Sequence, residues 1–226
     1  MAFDLRLLLC AGLVGLILRA DAGTIEGRVT ARGKELPADA AAGDYQSRKF
    51  RFAERVDYEQ LHGFVVSIDG PPKVALPKPD KPLRVVVQQN AVFSPHVLPV
   101  QVGTTVEWPN EDDIYHNVFS FSEAKPFDLG LYKDEVKRIT FDTPGRVDVF
   151  CSIHKNMNCI ILVQENPWFA AADAKGDYII RDVPAGTYRL RAWHERLPPL
   201  IKDITAPAEG AITVDFEMGV QGIPRY

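Results

Sequence analysis

Cysteine is scarce in this chain: three in 226 residues, at positions 10, 151 and 159. That is too few for a disulfide-built scaffold. A basic excess is also missing, with 26 Lys and Arg against 30 Asp and Glu and a formal net charge of −4. The electrostatic footprint of a nucleic-acid binder is therefore absent, and no nucleic-acid partner is expected. No long segment beyond the N-terminus carries the 3.6-residue periodicity of an amphipathic helix.

The N-terminus carries one short apolar run. Arg6 precedes residues 7–18 (LLLCAGLVGLIL), and Ala20-Asp21-Ala22 follows. Twelve apolar residues fall short of a membrane span, whereas a charged start, such a run and small residues at −3 and −1 form a secretory signal. Residues 1–22 are thus expected to be removed by cleavage near Ala22, leaving a periplasmic or otherwise exported protein with no stable membrane insertion. A lipoprotein reading of Cys10 is set aside because Leu9 precedes it. Cleavage removes Asp4, Arg6, Arg19 and Asp21 together, so the net charge is unchanged, and leaves Cys151 and Cys159. Two cysteines in an exported protein usually pair. The residues around these two argue otherwise.

Short segments rich in Val, Ile, Thr and Phe recur through the chain, as at 83–88, 104–108, 136–141, 146–150 and 160–164, separated by Gly, Pro, Asn and Asp. Alternation within 136–141 and 147–149 is the period of half-buried strands, and the whole reads as all-β, built from sandwiches. Residues 38–61 are the exception. They are polar, with Arg48, Lys49, Arg51 and Arg55 close together, and read as a solvated loop or short helix. Pro71, Pro72, Pro77, Pro79 and Pro82 then mark a stiff connector.

The chemistry concentrates in Cys151-Ser152-Ile153-His154-Lys155-Asn156-Met157. It lies between two expected strands, so thiol, imidazole and thioether share one tight loop, which can turn them toward a common point where a strand would splay them to opposite faces. His116, 35 residues upstream, supplies a second imidazole. One thiolate, two imidazoles and a thioether form the trigonal His₂Cys site with a weak axial Met that suits copper. The competing reading, ordinary loop residues with Cys151 and Cys159 joined, leaves His154 and Met157 without a purpose.

With those residues in view, the segment resembles the cupredoxin family. Phe93-x-Pro95, Val102-Gly103-Thr104-Thr105-Val106-x-Trp108-x-Asn110, His116-Asn117-Val118, Phe141-x-x-x-Gly145 and the 151–157 loop occur in that family's order, and the short loop is most similar to that of amicyanin. The resemblance covers residues 83–165. It implies a Greek-key β-sandwich holding one type 1 copper through His116, Cys151, His154 and Met157. It implies also that the main-chain N–H of Asn117 bonds the Cys151 sulfur, and that His154 presents its edge to solvent. The chain departs from the family at Cys159, read as a small buried hydrophobe.

Around that module, residues 176–190 read as strand, Pro-Gly turn, strand and resemble a carboxypeptidase regulatory-like fold, a small transthyretin-like sandwich. Its opening strand would be residues 23–29, far upstream, with 64–68 as a second. The expectation is a split module, residues 23–80 and 166–226, with the cupredoxin inserted in it or packed on it. Within it, Trp193 is read as packing the sandwich and His194 as a polar surface residue; a sharper alternative lets His194 reach the copper module or a second metal. His62 and His96 read as structural or exposed. Catalysis is not expected: five histidines without a His-x-His pair cannot build a trinuclear or type 2 copper cluster, and four protein ligands leave no open position for substrate. A one-electron carrier with a redox partner protein is the leading reading. A copper-delivery protein or a metal-free interaction module are the alternatives.

Overall fold

The structure is a computed structural model and describes residues 22–33, 57–71 and 83–219. Residues 1–21 of the expected signal, the basic stretch 48–55 and prolines 72–82 lie outside the described residues. Within them the protein is all-β: eighteen strands and one 3-10 turn at Tyr58–Gln60. No helix among the described residues is long and apolar enough to cross a membrane.

Residues 83–164 form one sandwich. One sheet joins β3 (Leu83–Val85), β7 (Thr104–Pro109) and β10 (Val136–Phe141) in the order β10-β7-β3. The other runs β6-β12-β11-β8-β9, with β6 at Val97–Gln101, β8 at His116–Ser120, β9 at Phe127–Tyr132, β11 at Gly145–Phe150 and β12 at Asn158–Gln164. The alternation read from sequence sets the inward faces. Val106 and Trp108 of β7 and Phe141 of β10 meet Val118, Val147, Val149 and Ile161 from the opposite sheet in one buried cluster. A hairpin of β4 (Val87–Gln89) and β5 (Val92–Ser94) completes it. The segment 83–88, expected as one strand, is interrupted at Val86, whose N–H leaves the strand pattern to donate to the Glu107 carbonyl.

A second sandwich draws its strands from both ends of the chain. β1 (Ala22–Arg32) lies between β14 (Asp177–Pro184) on one side and β17 (Ala211–Thr213) with β18 (Phe216–Gly219) on the other. Val214 passes so close to β1 that a Cβ on Gly27 would sit 2.2 Å from its carbonyl oxygen, so only glycine fits there. The facing sheet is β13-β2-β15-β16, from β13 (Phe169–Ala171), β2 (Val65–Ile68), β15 (Gly186–His194) and β16 (Leu197–Ala206). β2, where the chain leaves this sandwich, pairs antiparallel with β13, where it returns. Asn166, buried, fastens the two ends by donating to the carbonyls of Ile68 and Gly70 at 2.9 and 2.8 Å.

The two sandwiches meet across β12. Cys159, Ile161 and Val163 point into their own core, while Ile160 and Leu162, on the other face, are buried with Val97 against Val65 of β2 and Trp193 of β15. This explains why residues 159–163 are apolar without alternation: both faces are dry. Trp193, read as packing the second sandwich, packs at this seam instead, with the Arg146 guanidinium over its ring at 5.8 Å.

Because Leu162 is buried at the seam between the two sandwiches, Leu162→Ala should lower the stability of the intact chain by about 2–5 kcal/mol in urea unfolding. A loss under about 0.5 kcal/mol, as for a surface site, would mean the seam is open in solution.

Candidate metal centre

β11 delivers the chain to Cys151 and β12 takes it up after Met157, so the loop between them is short and both ends are anchored. The loop closes on itself: Cys151 N–H donates to the Met157 carbonyl at 3.1 Å, and Met157 N–H to the His154 carbonyl at 3.0 Å. Asn117, adjacent to His116 on β8, reaches across with its side chain. Its Oδ1 accepts from Ser152 N–H at 3.1 Å and its Nδ2 donates to Asp128 at 2.6 Å. The main-chain contact from Asn117 to the Cys151 sulfur, implied by resemblance, is not among the hydrogen bonds of the described residues. What ties Asn117 to the loop is its amide side chain, one residue beyond the cysteine.

Three donors converge. The ligand-type atoms of His116, Cys151 and His154 all lie within 4.8 Å of one another. His116 Nδ1 is 3.1 Å from His154 Nδ1, which is 3.7 Å from Cys151 Sγ. His116 is fully buried; Met157 is nearly so and belongs to the same buried cluster as Cys151, while His154 is half-buried and is the one imidazole of the three-residue group open to solvent. Cys151 and Cys159, the two cysteines among the described residues, are free thiols. Cys159 sits opposite Val149 in the ladder, buried in the core cluster, and burial pushes its thiol pKa well up, which keeps it a neutral hydrophobe.

Asp112 was not singled out in the sequence, and it is the residue that orients His116. Its Oδ2 lies 2.7 Å from His116 Nε2. A carboxylate there holds the hydrogen on Nε2 and leaves the Nδ1 lone pair facing the other donors, the tautomer a metal ligand needs. The same carboxylate accepts from Asn90 N–H at 2.6 Å and Ala91 N–H at 2.9 Å. Those residues form the two-residue turn of the β4–β5 hairpin, both at positive φ (57° and 54°). Left-handed backbone is costly for alanine, and two hydrogen bonds to an anion offset that cost. Burial alone would raise the Asp112 pKa, but the hydrogen bonds from Ala91, His116 and Asn90 outweigh it and hold the carboxyl below its ordinary range. Asn110 shapes the intervening loop, accepting from Asp112 N–H and donating to the carbonyls of Ile114 and Tyr132. A sequence signal existed: an acid four residues before a histidine, within Glu111-Asp112-Asp113.

His194 is a correction. It is buried rather than at the surface, and both ring nitrogens are engaged within its own sandwich. Nε2 donates to the His62 carbonyl and Nδ1 accepts from Arg196 N–H, each at 3.1 Å. Neither nitrogen is left for a metal. His62 and His96 are exposed, as read.

Two outcomes follow from this geometry. Asp112→Ala strands the Asn90 and Ala91 donors and frees His116, so the metal-free protein should lose about 1–3 kcal/mol in urea unfolding; an unchanged midpoint would show the carboxylate does not hold the turn. Burial depresses the His194 pKa below the usual histidine value, although its bond to His62 opposes this. The unfolded chain then takes up this proton first as pH falls. His194 therefore contributes its full stabilisation above about pH 6.5, and the contribution is lost as pH falls through the folded-state value. The His194 ring resonances in NMR should titrate below that of a free histidine, and a midpoint at or above it would contradict the burial.

No protein-family model matches the chain, and no curated protein does. Among solved structures it is similar to a purple cupredoxin from Nitrosopumilus maritimus, at 24% identity over 36% of this chain and 99% of that one, with a TM-score of 0.33. It is similar also to a mutant of amicyanin in its Cu(I) form, at 24% identity over 36% and 82% of the two chains (TM-score 0.34). A third similarity is to a Cu-containing nitrite reductase from Thermus scotoductus, at 25% identity (TM-score 0.36), where the chain spans only 28% of the other protein's length against 60% of its own.

Proposed function

We propose that this is an exported type 1 copper protein that carries single electrons, with His116, Cys151, His154 and Met157 as the ligands of one copper. The observation that supports this reading above all is the convergence of one thiol and two imidazoles within 4.8 Å. The donor chemistry fits the ion: a thiolate and a buried thioether suit Cu(I), imidazoles suit both oxidation states. Bound there, copper would supply a one-electron Cu(II)/Cu(I) couple.

The chain's own residues supply the rest. Asp112 presents His116 in the tautomer with a free Nδ1, the Cys151–Met157 main-chain bond fixes the loop, and Asn117 holds it to β8. Rigid donors limit rearrangement between oxidation states. His154, the solvent-reaching ligand, is the port for electrons. Ile114, Tyr115 and Ile153, exposed by 48%, 59% and 52%, lie within two residues of His116 or His154 in sequence and would offer a redox partner protein apolar contacts. Four protein ligands leave no position for substrate, so the protein is read as a carrier and not an enzyme. Residues 83–165 carry the site, and residues 23–80 with 166–226 support it.

The test is to add Cu(II) to the chain without residues 1–22 and record absorption, EPR and reversible voltammetry. One copper per chain with an intense visible thiolate band is expected, abolished in Cys151→Ala. Met157→Leu should keep copper and shift the reduction potential, because the axial thioether tunes more than it holds. A colourless wild type, or a Met157→Leu variant that loses all its copper, would contradict these roles; copper bound without a reversible potential would point to delivery instead of electron transfer.

A further inference from the structure

The residue following the axial methionine is held from the other sandwich. His96, on the turn between β5 and β6, sets its Nδ1 3.2 Å from the Asn158 carbonyl and its Nε2 3.1 Å from Glu195 Oε1. Its own carbonyl accepts from Ile160 N–H at 2.8 Å. Side chain and main chain of one residue thus grip the first turn of β12 at two points. Asn158 is bonded to Met157, whose carbonyl closes the ligand loop onto Cys151 N–H. Glu195, next to the buried His194, belongs to the turn between β15 and β16 of the second sandwich. The path from that sandwich to the ligand loop is therefore Glu195, His96, Asn158, Met157.

The chemistry of the ring makes the two contacts interdependent. A carbonyl oxygen can only accept, so the contact to Asn158 requires the hydrogen on Nδ1. A carboxylate also accepts, so only a ring protonated on both nitrogens makes the two contacts at once; a neutral ring has one hydrogen to share between them. With Glu195 ionised, both neighbours favour the ring in the orientation that grips Asn158; without it, nothing at Nε2 opposes rotation of a side chain that is 46% exposed. Glu195 itself is 30% exposed, so the pair contributes little to global stability. Its effect is on position.

We propose that Glu195 is a positioning residue for the copper site, by which the second sandwich sets the placement of Met157 through His96 and Asn158. This rests on the function proposed above for the ligands. The second sandwich is then a part that tunes the site as well as a support for it. The route differs from the His194 contact considered from sequence, whose nitrogens are both occupied within its own sandwich.

Two readouts on the full chain without residues 1–22 test it, one of them needing no metal. In the metal-free protein, Glu195→Ala should raise amide hydrogen exchange at Met157 and Ile160 several-fold, while Arg146→Gln should not; Arg146 lies at the same seam, but at the far end of β12, against Trp193. In the copper-loaded protein, Glu195→Ala should shift the reduction potential and the copper hyperfine splitting beyond experimental error, with the unfolding midpoint almost unchanged. Unaltered exchange at Met157 and Ile160 overturns the clasp. Faster exchange with an unmoved potential and hyperfine splitting overturns the tuning role, as does an equal shift in Arg146→Gln, which would mean general loosening of the seam. If wild type binds no Cu(II), the copper reading fails and so does tuning, while the exchange result still decides whether the clasp exists.

Discussion

Both the seam and the candidate site depend on burying β12 from two sides at once. A strand's side chains alternate between faces, so a strand with one face in water can keep only every second residue apolar. Residues 159–163 are apolar throughout, and each face has its own cover: the core of the 83–164 sandwich on one side, Val65 and Trp193 with Val97 on the other. Every main-chain group of such a strand must find a partner in the sheet, and β12 has β11 antiparallel and β6 parallel beside it. That leaves it little freedom to move. Its first residue follows Met157 directly, so the rigidity reaches the 151–157 loop.

The opposite wall of the site is held by a different device. His116 is buried on β8, and its orientation is set by Asp112, whose carboxylate also stabilises the left-handed turn at Asn90 and Ala91. One anion serves a backbone turn and an imidazole together. The hairpin tip, the acidic loop and His116 therefore stand or fall as a unit, and the metal-free protein already presents the His116, Cys151 and His154 donors close together. Preorganisation of this kind suits the copper centre proposed above, whose geometry should change little between oxidation states.

The all-β character, most strand positions and the donor types were legible in the sequence because they are local properties. Residues 136–141 alternate and form β10 with the same bounds; the loop 151–157 is bounded by apolar runs and lies between β11 and β12. The break at Val86, the burial of His194 and the position of Trp193 were not legible. Each depends on what lies opposite: the Glu107 carbonyl, Phe64 and the His62 carbonyl, the exposed-looking face of β12.

By itself, then, the sequence determined periodicity, turn chemistry and which side chains could bind a soft metal, since these follow from residue type and spacing along one strand or loop. Tertiary structure decided which of those side chains meet. His116 and Cys151 come together because β8 and β11 are neighbours in a sheet, Asp112 matters because a distant hairpin offers it two N–H groups, and Glu195 reaches His96 across 99 residues of chain. Such contacts depend on the docking of separate strands, and a linear pattern of hydrophobicity records that a face is covered without recording by what.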